Sequence, residues 1–119
     1  MADDLSRVFD ALANSHRREM VHALAVQPRS ISELADQRGL SLPAIHKHIR
    51  VLEEAGMVQR RKAGRTNYLA IERGPLRSLQ RWVEQFHPDW GSDSEALDNY
   101  VAHLTKDTWV DGPTTGGNQ

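Results

Sequence analysis

The chain contains no cysteine in its 119 residues. Disulfide staples, thiolate nucleophiles, cysteine zinc sites and thiol redox sensing are thereby excluded. It also lacks any apolar run near the ~20 residues that a bilayer span requires. Its first ten residues, MADDLSRVFD, are acidic where a secretory signal is basic, so a cytoplasmic protein with no membrane segment is expected. Aromatic residues make up only 6%, and Tyr68 is the single one between residues 29 and 81. Single-strand nucleic-acid binders interleave stacking aromatics with basic side chains, which argues against that class. There is no glycine-rich phosphate cradle, no paired-carboxylate constellation and no activated nucleophile, and an enzyme is not expected.

What is present describes a globular chain, 39% apolar and 26% charged. At this length one domain is expected, burying roughly two thirds of the surface of the unfolded chain. The net charge of -1 conceals an uneven distribution. Residues 1–28 hold three Lys/Arg and four Asp/Glu, residues 29–81 hold eleven and five, and residues 82–119 hold one and seven. A basic middle between acidic ends suits an element that binds a polyanion, although clustered solvated charge produces the same pattern. The order of motifs has to decide.

Leu5, Val8, Phe9 and Leu12 recur at helical spacing and predict a first helix. Asn14-Ser15 offers a cap for a second helix through Met20, Val21, Ala23 and Leu24, ending before Gln27-Pro28. Ser30 and Glu33 stand three apart, as in a capping box, and open a short third helix that stops at Gly39. Ser41 can then cap a fourth helix whose first turn tolerates Pro43 and whose stop is Gly56. In that helix Ile45, Ile49 and Leu52 share one face, while Leu42, His46, Lys47 and Arg50 lie opposite. Two short helices joined by so tight a glycine turn predict a helix-turn-helix. Met57 to Lys62 and Thr66 to Ile71 follow as a β-hairpin about Gly64, rich in Arg60, Arg61, Lys62 and Arg65. A basic hairpin in that place is the wing of a winged helix.

Further helices are predicted from Gly74-Pro75 to near His87-Pro88, with Leu76, Leu79, Trp82, Val83 and Phe86 on one face, and around Leu97, Tyr100, Val101 and Leu104. A three-helix core with a hairpin cannot cover all these stripes. The expectation is a mainly α fold with a small hairpin that dimerises through its first and last helices, using Leu5, Val8, Phe9, Leu12, Leu79, Trp82, Phe86 and Tyr100. Residues 1–110 would form this domain, and residues 111–119, aperiodic from Gly112 onward, a disordered tail. Trp82, Phe86, Trp90, Tyr100 and Trp109 read first as core or interface and second as walls of a small-molecule pocket.

The run ISELADQRGLSLPAIHKHIRVLEEAGMVQRRKAGRTNYLAI resembles the ArsR/SmtB family of bacterial winged-helix repressors, and ALANSHRREMVHAL resembles the family's opening signature. The similarity covers about residues 5–86, and its motifs occur together and in order. It implies a homodimeric repressor that places helix 42–55 in the major groove of double-stranded DNA, sets wing 57–71 on the adjacent backbone or minor groove, and releases DNA on meeting an effector. Metal-sensing members often carry cysteines where this chain has Ile31-Ser32-Glu33-Leu34. Others bind zinc through Asp/His pairs, whereas Asp98, His103 and Asp107 have a different spacing here. The chain therefore looks more like the non-metal-sensing branch, with no cofactor and an unidentified effector. A zinc site shared across a dimer by His87, Asp98 or His103 is a minor alternative.

Leu42, Ala44, His46 and Lys47 are assigned to the groove, the first two against thymine methyls. Ser41, Arg50, Arg61, Lys62 and Arg65 are assigned to phosphates or the minor groove. His48 reads as structural or as a phosphate contact. His16, Arg17 and Arg18 either touch DNA backbone or pair locally with Glu19 or Asp10. The expected partner is an inverted-repeat operator bound by the dimer. The alternative from another class is a winged-helix protein-interaction module that never touches DNA.

Overall fold

A computed structural model describes residues 4–86 and 93–111, with side chains described as far as residue 106. His87 and Trp90 lie outside the described residues, as do the side chains of Asp107 and Trp109 and the tail from Gly112. The chain divides into two compact units, Met1–Gln85 and Phe86–Gln119. The first contains α1 (Asp4–Leu12), α2 (Ser15–Val26), β1 (Arg29–Ser30), α3 (Ile31–Arg38), α4 (Leu42–Glu54), β2 (Val58–Ala63), β3 (Thr66–Ile71) and α5 (Gly74–Glu84). The second contains α6 (Asp93–Asp111).

Local chemistry places the boundaries of these helices. Asn14 Oδ1 accepts from the Arg17 backbone N–H at 3.2 Å and starts α2. At α3 the capping box closes in both directions. The Glu33 N–H donates to Ser30 Oγ at 3.1 Å, and the Ser30 N–H donates to Glu33 Oε1 at 2.8 Å. Gly39 ends α3 with φ of 65°, a left-handed conformation that costs glycine least. Ser41 Oγ then accepts from the Ala44 N–H at 3.3 Å, so a turn of three residues separates α3 from α4.

The sheet order is β1-β3-β2, all antiparallel. Val58 faces Ile71 and Arg60 faces Leu69, so the apolar ends of both wing strands meet over the helices while Ala63 and Thr66 close the tip. Strand β1 was not expected. Two residues are too few for an alternating pattern, and the strand exists because Arg29 and Ser30 pair with Leu69 and Tyr68.

The core lies in the first unit. Met20, Leu34, Ile45, Ile49, Leu52, Met57 and Leu69 are fully buried, and Leu12, Leu76 and Leu79 pack at its edge. Arg73, just before α5, donates to the Ala25 carbonyl at 3.3 Å and ties that helix to the end of α2. Helix α5 ends at Glu84, a little earlier than its apolar stripe suggested, and Phe86 beyond it is 61% exposed. Val8 was grouped with the interface residues, yet at 1% exposure its side chain is consumed by the protomer's own core. On α6 the apolar side chains Leu97, Tyr100, Val101 and Leu104 are all exposed.

Candidate nucleic-acid interface

Helix α4 buries Ile45, Ile49 and Leu52 and turns the opposite side to solvent. Lys47 and Arg50 are exposed on that outward side, with Pro43 before them and Glu54 after them. A carboxylate on the outward meridian disfavours phosphate, so the first two to three turns are the part suited to a polyanion. The flanks differ. Leu42 and His46 lean toward the hairpin, where they border a shallow depression with Ser32, Arg65, Thr66 and Asn67. Ala44 and His48, both half-buried, lie on the flank away from it. Leu42 is 50% exposed, an apolar side chain held out where a helix would meet base edges. Ser41 is engaged as the α4 cap.

The hairpin separates its positive charges by the alternation of a strand. Arg60 and Lys62 share the face that carries Val58, while Arg61 lies on the other face opposite Tyr68. Arg60 Nε and Nη2 donate to the two carboxylate oxygens of Glu53, each at 3.2 Å, which turns this arginine back onto α4. Arg61 Nε donates to Gln59 Oε1 at 3.3 Å. Lys62 and Arg65 are exposed, Arg65 immediately after Gly64, whose φ is 63° at the tip.

Behind α4 lies a group of residues whose connections the sequence did not reveal. Among the described residues Arg17 and Arg18 make no hydrogen bond to the Glu19 or Asp10 carboxylate. They donate to main-chain carbonyls at the end of α1, Arg17 to Asp10 and Ala11 and Arg18 to Leu12. Arg17 also reaches His48, and Arg38 reaches His16. The sequence offered DNA backbone or the local carboxylates Glu19 and Asp10 as partners, and nothing local indicated that the partners would come from α1, α3 and α4. Burial, then Arg17, then His16 hold the His48 imidazole below the ordinary histidine range.

The aromatic residues fall in two places. Phe9 and Trp82 meet edge to face at 5.3 Å between α1 and α5, each about 40% exposed. Leu5 and Leu12 flank Phe9 on α1 and are half-buried, while Phe86 and Tyr100 are exposed in the second unit. Among the described residues no three His, Asp or Glu side chains gather into a group that could hold a metal ion. No helix among them is long and apolar enough to cross a membrane.

A short helix, a three-residue turn, an outward-facing second helix and a basic hairpin paired with a third strand define a winged helix-turn-helix protein. Residues 12–61 match the model of a helix-turn-helix domain family. Over 80 residues the chain is 34% identical to the HTH-type transcriptional regulator Rv2034 of Mycobacterium tuberculosis, covering 67% of this chain and 75% of that protein. A crystal structure of an ArsR family transcriptional regulator superposes with a TM-score of 0.69 at 34% identity, covering 76% of this chain and 99% of the other. The homodimeric winged helix-turn-helix DNA-binding domain of a Mycobacterium bovis protein superposes with a TM-score of 0.60 at 28% identity, over 71% of this chain and 86% of that domain. The chain belongs to the ArsR family of winged helix-turn-helix transcriptional regulators. It is a DNA-binding regulator and not an enzyme, and the interaction-module alternative finds no support among these relatives.

Proposed function

We propose that the protein is a homodimeric repressor that binds an inverted-repeat operator in double-stranded DNA in the cytoplasm. The observation that carries this reading is the outward pair Lys47 and Arg50 on a helix whose reverse face is wholly buried. Leu42, Ala44, His46 and Lys47 enter the major groove, and Ser41, Arg50, Arg61, Lys62 and Arg65 meet phosphates or the minor groove. Because Arg61 and Lys62 project from opposite faces of β2, they serve different phosphates. The dimer is built from Leu5, Phe9, Leu12, Leu79 and Trp82 in the first unit with Phe86 and Tyr100 in the second. Its support is the edge-to-face aromatic pair left half open, together with the homodimeric state of the Mycobacterium bovis domain. Repression follows from occlusion, since half-sites about 10 bp or a multiple apart would be covered by one dimer.

The test is a mobility-shift assay with fragments selected from the source genome. Wild-type protein should shift an inverted repeat, with a log-log salt slope of about -5 to -7 if each protomer neutralises roughly three or four phosphates. Lys47→Ala with Arg50→Ala should abolish the shift while the dimer persists in sedimentation. A wild-type protein that binds no fragment in dilute buffer, or binds independently of salt, would sink the reading.

A further inference from the structure

The last carbonyls of a helix have no partner within it. At the end of α1, Arg17 takes two of them, Nε donating to the Ala11 oxygen at 2.7 Å and Nη2 to the Asp10 oxygen at 3.2 Å. Its remaining Nη1 lies 3.2 Å from His48 Nδ1 on α4. A guanidinium only donates, so this contact requires a lone pair on His48 Nδ1. Beside it Arg38, the last residue of α3, donates from Nε to His16 Nδ1 at 3.1 Å, and the two imidazole rings are 5.6 Å apart. Four helices thus converge on two imidazoles that both accept from arginine. The charge around His48 is uniformly unfavourable to a second positive charge. Helix α2 presents Arg17 and His16, and α3 presents Arg38 beyond His16. Helix α1 presents main-chain oxygens already taken by Arg17, while the Asp10 side chain borders a neighbouring depression with Arg7, Val51 and Glu54. Lys47 precedes His48 on α4 itself.

We infer that Arg17 is a positioning residue for DNA recognition: through neutral His48 it sets α4 against α1, and proton uptake by His48 releases the reading helix. The inference rests on the proposed operator binding. It links the helix assigned to dimer contact with the helix assigned to the groove by one side chain, so the position of one constrains the other. Burial and the two flanking cationic or ionisable groups already hold the His48 imidazole below the ordinary histidine range. The clamp is therefore intact at neutral pH and opens only as the pH falls below the ordinary histidine range. His46 lies on the opposite flank of α4 near Arg65. Because His46 is present in both wild type and H48Q, the comparison of those two proteins isolates His48.

The experiment measures operator affinity by fluorescence anisotropy for the full chain and for H48Q, H48L and R17K, at fixed ionic strength and between about pH 7.5 and 5.5. Glutamine keeps a neutral acceptor that cannot titrate. H48Q should bind within about threefold of wild type at neutral pH, whereas H48L and R17K should bind roughly tenfold more weakly with the dimer retained, the scale of a lost hydrogen bond to a charged group. Acidification should weaken wild type relative to H48Q. Equal affinity of H48L and H48Q, or parallel pH profiles of wild type and H48Q, would overturn the inference. Should R17K or H48L fail to fold, wild type against H48Q still decides. If wild type binds no operator at all, it is the proposed function that has failed, which is a different result.

Discussion

Arg60 and Glu53 close a two-pronged ion pair between the first residues of the wing and the last turn of α4, with both N–O distances at 3.2 Å. Their side chains are 36% and 33% exposed, so solvent screens the attraction and its contribution to stability is about 1 kcal/mol or less. Its larger consequence is geometric, because it adds a direct tie between β2 of the hairpin and the last turn of α4. Arg60→Ala should leave the melting temperature within a few degrees of wild type. Operator affinity should still fall, and Glu53→Ala in the same background should recover part of it by removing a lone carboxylate near the DNA. Thermal melts and anisotropy titrations check both.

Leu42 offers a prediction at the level of single atoms. An apolar side chain half exposed at the leading end of α4 suits contact with a thymine methyl in the major groove. Replacing thymine by uracil at the contacted position should weaken wild-type binding severalfold, and Leu42→Ala should bind both operators equally. Equal affinity of the wild type for both operators at every thymine would remove Leu42 from the groove.

The capping box of α3 predicts a stability effect and its pH dependence. Ser30→Ala should cost about 1 kcal/mol in denaturant melts. Glu33 is held below the usual carboxylate range chiefly by the Ser30 backbone N–H and next by the Ser30 hydroxyl. A depressed folded value means that its contribution is complete above the unfolded value of about 4.5 and is lost as pH falls below it. Glu33→Gln should remove that part of the acid sensitivity and lower neutral stability by the same small amount.

Ile49 has no exposed surface and sits at the centre of the buried face of α4. Ile49→Ala should lower unfolding free energy by about 2–5 kcal/mol, a large part of what so small a domain possesses. Lys47→Ala, one position from His46 and outward, should change stability by no more than about 0.5 kcal/mol. The contrast distinguishes the buried and reading faces of one helix.

Much of this architecture was legible because its signals are local. Ser30 with Glu33, Gly39, Ser41 with Pro43, and Gly56 each act on neighbours within one turn, and the helices begin and end where they indicate. The hairpin expected about Gly64 likewise forms, with Val58 paired to Ile71 at its base. Strand β1 was invisible because two residues carry no period. Val8 was misassigned for a related reason. Its stripe with Leu5, Phe9 and Leu12 is continuous in sequence, but the packing of α1 turns one member inward to 1% exposure and leaves Phe9 at 41%.

Composition, periodicity and caps therefore suffice to specify a helix-turn-helix with a basic wing, since each of those features depends on residues a few positions apart. Which arginines face outward is another matter. Arg60 is drawn back by Glu53, seven residues earlier, and Arg17 is drawn to His48, thirty-one residues later. A charged side chain adopts whichever partner the folded chain brings within about 3 Å, and such distances exist only after helices from separate parts of the chain have packed together.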